Sequence, residues 1–75
     1  MRLPQMSARE LIAVLVKLGF KTVRQKGSHV FLEHSDGRTT MVPNHPGEDL
    51  DRSLLLKIIK KDVEMDLQEF LKKLK

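Results

Sequence analysis

Apolar residues recur at helical spacing near the start of the chain. Leu11, Leu15 and Leu18, joined by Ile12 and Val14, form one stripe. Ser7-Ala8-Arg9-Glu10 precedes it and reads as a capping box, with Met6 and Leu11 placed to staple the first turn. Lys17 and Gly19 supply the stop. The pattern predicts a helix over Ser7 to Leu18.

The spacing then changes. Phe20 to Gln25 predicts a strand of polar composition, and Lys26-Gly27 a two-residue turn. Ser28 to His34 predicts the clearest strand, and Asp36-Gly37 a type I′ hairpin. Arg38 to Val42 predicts the third strand, which Pro43 ends because it has no N–H to give a ladder. Two-residue turns fix a register. Leu32 then faces Met41 and Phe31 faces Val42, while Val23 faces Val30 and Arg24 faces His29. In that register Val23, Val30, Leu32 and Met41 share the core side. Arg24, His29, Phe31, Glu33 and Val42 share the uncovered side.

Asn44 to Leu50 reads as a loop. Asp51 is placed to cap a second helix from Arg52 to about Lys61, buried through Leu55, Ile58 and Ile59. Glu64 and Met65 read as a break, and Asp66-Leu67-Gln68-Glu69 as a second start resembling a capping box. Leu67, Phe70, Leu71 and Leu74 have the spacing of a docked amphipathic helix, and Lys72, Lys73 and Lys75 suit its C-terminal dipole end. The expected class is α+β, in the order α-β-β-β-α with a short C-terminal helix. Helices lie on one face of a three-stranded antiparallel sheet, in one domain over residues 1–75.

Seventy-five residues bury only about 60% of the unfolded surface, so any site should be shallow and open. The longest apolar run, Leu11 to Val16, is far below the ~20 residues that span a bilayer, and the expected location is cytoplasmic. Without cysteine there is neither a disulfide framework nor a thiolate zinc site. The net charge is +4. Its distribution says more: Lys17, Lys21, Arg24 and Lys26 lie between Glu10 and Glu33 with no acid among them. Such a field attracts polyanions, although a solvated basic face has the same composition.

His29 is the strongest candidate for chemistry. Free imidazole titrates near pH ~6.5, so it gives and takes protons near neutrality. On pattern alone His29 also fits an exposed strand histidine with no role. His29 and His34 are an odd number of residues apart and point to opposite faces of a regular strand. Glu33 lies roughly 13 Å along the strand. No metal site is expected. Ser28, adjacent to His29, has no nucleophile elbow around it and reads as a turn-end serine. His45 reads as a buttress of its loop. Phe31 and Val42 form an apolar pair on the uncovered side, suited to base stacking or to a protein partner.

Gly19-Phe20, Arg24-Gln25-Lys26-Gly27-Ser28-His29, Asp36-Gly37-Arg38 and Pro43-Asn44-His45, in that order and spacing, resemble the HicA family of toxin mRNA interferases. The resemblance runs from the first helix through the second. Where the family usually has a glycine before the second helix, this chain has Asp51-Arg52-Ser53. The resemblance implies a fold like the double-stranded-RNA-binding domain and a metal-independent endoribonuclease with no cofactor. It implies RNA (mRNA) as substrate and a HicB-type antitoxin as partner. It makes His29 catalytic; the basic stretch around it makes Arg24, Lys26, Lys21 and Ser28 the expected RNA contacts, and the open apolar pair makes Phe31 and Val42 the expected partner interface. A non-catalytic RNA-binding module and a protein-interaction domain are the alternatives on the same fold.

Overall fold

The computed structural model describes residues 3–74. Its elements are α1 (Ala8–Lys17), β1 (Phe20–Lys26), β2 (His29–His34), β3 (Thr39–Pro43), α2 (Arg52–Lys57) continued by a π-helical turn (Ile58–Asp62), and α3 (Leu67–Lys73). The strands form one antiparallel sheet in the order β1-β2-β3, so β2 is central and the other two are edges. This is the expected α+β arrangement.

The local signals produce the local structure. The Ser7 hydroxyl accepts from the Glu10 N–H at 3.2 Å, and the Glu10 carboxylate accepts from the Ser7 N–H at 2.9 Å, completing the capping box. Asp51 caps α2 through Leu54 N–H at 3.3 Å. Asp66, by contrast, makes no side-chain cap bond; its carbonyl accepts from Phe70 N–H.

Both hairpins depart from the expected register. The β2–β3 connection is three residues long. His34 N–H donates to the Arg38 carbonyl at 2.8 Å, and Gly37 N–H to the His34 carbonyl at 2.9 Å. Gly37 sits at φ +100°, the left-handed residue of a three-residue loop with a bulge. The extra residue slides β3 by one position. Leu32 pairs with Thr40 and Phe31 with Met41. A slip of one exchanges the faces. Val42, expected on the open side, is therefore fully buried at 0% exposure, and Met41, expected in the core, lies on the open side.

In the first hairpin the turn is Gly27-Ser28, not Lys26-Gly27, with Gly27 at φ +59° in the first central position. Ser28 thus belongs to the turn and β2 begins at His29. The ladder is then interrupted between Thr22 and Arg24, where Val23 is the extra residue of a bulge. Val23, expected in the core, is 58% exposed.

The core lies between the other sheet face and the helices. Val30, Leu32 and Val42 from the sheet meet Leu11, Val14 and Leu15 of α1, Leu55, Ile58 and Ile59 of α2 and its turn, and Phe70 and Leu71 of α3. Each fully buried large side chain contributes roughly 1.5–3 kcal/mol. Beyond Phe20, β1 is exposed along its whole length.

The second helix does not run straight to Lys61. Val63 N–H bonds the Ile58 carbonyl at 2.8 Å and Met65 N–H the Ile59 carbonyl at 3.0 Å, and Glu64 takes φ 56° to end the helix. The widened turn brings Lys57 Nζ within 3.3 Å of Asp62 Oδ2, a five-residue spacing that an α-helix does not bring face to face.

The register makes a direct prediction. Val42→Asp should abolish the cooperative thermal transition, whereas Met41→Lys should shift it by a few degrees at most. The reverse result would restore the two-residue turn.

Candidate functional site

The sheet face turned away from the helices carries three cross-strand rows. Lys26 lies opposite His29, which lies opposite Pro43; Arg24 opposite Phe31, opposite Met41; Lys21 opposite Glu33, opposite Thr39. Direct partners on one face have Cβ atoms about 5 Å apart, and diagonal ones about 7–8 Å. His29 therefore has one cation directly across from it and Arg24 diagonally beside it. The sequence expectation had Arg24 directly across; the moved turn puts Lys26 there.

The Val23 bulge collects these cations. In the register of Phe20 to Thr22, continued without interruption, Arg24 would pair with Val30 and point to the core side. The extra residue turns Arg24, and Lys26 after it, onto the face that already holds Lys21. Arg24 settles with its guanidinium carbon 4.4 Å from the centre of the Phe31 ring. Lys21, Arg24 and Lys26 form no ion pair within 4.0 Å among the described residues.

His29 is exposed, and its ring makes no hydrogen bond among the described residues. Asn44 N–H donates to the Ser28 carbonyl at 2.6 Å, which holds the Pro43-Asn44-His45 segment beside the turn that presents His29. The same loop is pinned to the segment before α1 by Leu50 N–H donating to the Met6 carbonyl at 2.7 Å and by the Ser7–Asp49 bridge. His45 itself is exposed and lines a shallow cleft with Ser7, Arg9, Asn44, Pro46 and Gly47.

His34 is engaged where His29 is free. Asp36 N–H donates to its Nδ1 at 3.1 Å, so Nε2 carries the proton and donates to the Leu18 carbonyl at 3.1 Å. The approach of Nδ1 to Asp36 Oδ1 at 3.1 Å becomes an ion pair only on protonation. The ring stands edge-on to Phe20, with centroids 5.1 Å apart. Gly19 makes room for it, since a Cβ there would lie 2.8 Å from Nε2. Arg38 completes this cluster. Its Nε donates to Asp36 Oδ2 at 2.8 Å, its Nη1 to the Val63 carbonyl, and its guanidinium lies 5.3 Å from the Phe20 centroid. These contacts tie the second hairpin to the end of the π turn. They are structural.

A groove of about 620 Å³ opens beside Phe31 and runs to α2, lined by Val23, Arg24, Met41, Leu54, Lys57 and Asp62 among others. Sequence reasoning missed Met41, Leu54, Lys57 and Asp62 as possible contacts. The signal for Met41 was the Asp-Gly pair read as the end of a three-residue loop; nothing in the sequence marked the i, i+5 pair of Lys57 and Asp62.

Among the described residues no helix is long and apolar enough to cross a membrane, and no three His, Cys, Asp or Glu side chains are grouped as a metal site requires.

The class the fold defines is a small α+β domain with a basic hairpin displayed on an open three-stranded sheet. The sequence matches the family described as the HicA toxin of bacterial toxin–antitoxin systems over residues 8–63, from α1 to the end of the π turn. The chain belongs to that family. No curated protein matches it.

The second hairpin has a measurable acid response. The Arg38 side chain and backbone N–H, both bonded to Asp36, hold its carboxyl below the usual carboxylate value. A lowered folded-state value means that the stabilisation is complete above the unfolded value of about 3.9 and fades as pH falls through the folded one. The Tm difference between the wild type and Asp36→Asn should stay constant above about pH 5 and narrow toward about pH 3. A difference unchanged down to that acidity would remove the Asp36–Arg38 contact from the account.

Proposed function

We propose that this toxin is an endoribonuclease that cuts mRNA without a metal ion, with His29 moving the proton. The observation that carries the reading is an exposed imidazole on the uncovered sheet face, with Lys26 across from it and Arg24 on the diagonal. Metal-free cleavage of RNA requires three things. A base removes the proton from the 2′-hydroxyl. A proton reaches the departing 5′-oxygen. Positive charge meets the phosphate as its own charge grows. The 2′-oxygen then bonds to phosphorus, the bond to the 5′-oxygen breaks, and the products are a 2′,3′-cyclic phosphate and a 5′-hydroxyl. His29 is suited to the proton transfer. Arg24 and Lys26 are suited to the phosphate, and Lys21 and the Ser28 turn to the neighbouring backbone. The partner is an antitoxin of the HicB type, which silences the toxin by covering Phe31, Met41 and His29 together. Met41 takes the place expected for Val42, which is buried. The working compartment is the cytoplasm, where mRNA is found.

His29→Ala should lower the rate of RNA cleavage by about 10²–10⁴ and relieve growth arrest on induced expression, while leaving Tm within a few degrees. Full cleavage by the folded variant would remove His29 from the mechanism. Replacing Arg24 and Lys26 together by alanine keeps His29 in place but removes both cations from its face. It should weaken RNA binding and flatten its salt dependence, with each lost phosphate contact reducing the slope by about one. Unchanged affinity and slope in the double variant would show that neither cation touches the backbone.

A further inference from the structure

The groove beside Phe31 has features that phosphate binding does not use. Its floor is apolar, from Phe31 and Met41 on the sheet and Leu54 on α2. One side is the Arg24 guanidinium, already stacked 4.4 Å from the Phe31 ring centre. The far end is polar and prearranged. Thr40 Oγ1 donates to Asp62 Oδ2 at 2.9 Å and Lys57 Nζ donates to the same oxygen at 3.3 Å. Oδ1 has no hydrogen-bond partner among the described residues. The groove's lining therefore offers a planar stacking surface, an apolar wall, and an acceptor beside an ammonium donor.

We propose that this groove holds one unpaired nucleobase of the RNA, next to the phosphate at His29, and that it favours a base carrying an amino group. The proposal rests on the RNA reading above and adds a base-binding subsite to it. His29 and Phe31 are two positions apart on the same face of β2, roughly 7 Å along the strand. A backbone held at His29 and Lys26 thus passes the mouth of the groove. Rings of any base stack on aromatic and guanidinium planes. The Asp62 carboxylate accepts from an exocyclic amine, as carboxylates do from cytosine N4, and Lys57 donates to an adjacent ring or carbonyl acceptor. Cytosine, adenine and guanine each present an amino group beside such an acceptor; uracil has no amino group. A base seated here has left its own stack and its partner, so the subsite admits single strands and rejects duplex. The unpaired cations Lys21, Arg24 and Lys26 along the same face match a polyanionic occupant.

The test uses a short single-stranded oligoribonucleotide, 2′-O-methylated so that it cannot be cut. It is compared with the same strand in duplex and with an abasic strand of equal charge, by fluorescence anisotropy at fixed salt. The full chain should bind the intact strand roughly 5- to 150-fold more tightly than the abasic strand, the range expected for one stacked base. Phe31→Ala should lose the same factor for the intact strand and little for the abasic one. Asp62→Asn should lower affinity for oligocytidine relative to oligouridine. Equal affinity of the wild type for intact and abasic strands overturns the subsite, and needs no variant that must fold. His29-dependent cleavage persisting in that case leaves the nuclease reading intact. Base-dependent binding without any cleavage supports the subsite while the nuclease reading fails. If Phe31→Ala keeps full RNA affinity but no longer binds the antitoxin, the groove belongs to a protein partner and the subsite is overturned.

Discussion

One extra residue in an edge strand governs which side chains meet. Side chains of a strand alternate between faces, so the seven residues of β1 would ordinarily divide their cations between the core side and the open side. Val23 interrupts that alternation. Lys21 before it and Arg24 and Lys26 after it then share a face, and the face is that of His29. Among the described residues no ion pair supports this grouping; it follows from the count of residues in the ladder. The bulge is tolerated because β1 beyond Phe20 is exposed, where an unpaired backbone group is satisfied by water.

The three histidines separate by the same kind of reasoning. His34 has both ring nitrogens bonded, sits against Phe20 and needs the space Gly19 leaves, so its chemistry is spent on holding the second hairpin. His45 lies in a loop pinned at Leu50 and at Asn44. The rings of His45 and His29 are both exposed and unbonded among the described residues, and it is His29 that stands on the sheet face with Lys26 across from it. Membership of the HicA toxin family places this free ring within the matched region.

Much of the fold was legible because its signals are local. The capping box at Ser7 and Glu10, the stripe of α1, and the cap at Asp51 each depend on residues within one helical turn. What was misread depended on comparing distant segments. Asp36-Gly37 fits both a two-residue and a three-residue loop, and only the pairing of His34 with Arg38 decides between them. That choice exchanged Met41 and Val42. The polar sequence of β1 has no hydrophobic alternation, so nothing in it fixes a register or marks a bulge. The spacing of Leu55, Ile58 and Ile59 fits an α-helix, and the π turn leaves that spacing intact. His29 on the open face was legible because β2 alternates clearly, with Val30 and Leu32 buried on either side of Phe31.

A strand that has a neighbour on one side only is an invitation to other chains, since its outward N–H and C=O groups can template a new partner. β1 is such a strand, and it is the more exposed of the two edges. Its lysines, its arginine and its kink at Val23 are also what discourages a second copy from lying alongside. The like charges that gather on one face of β1 thus also act against a second copy pairing with this edge.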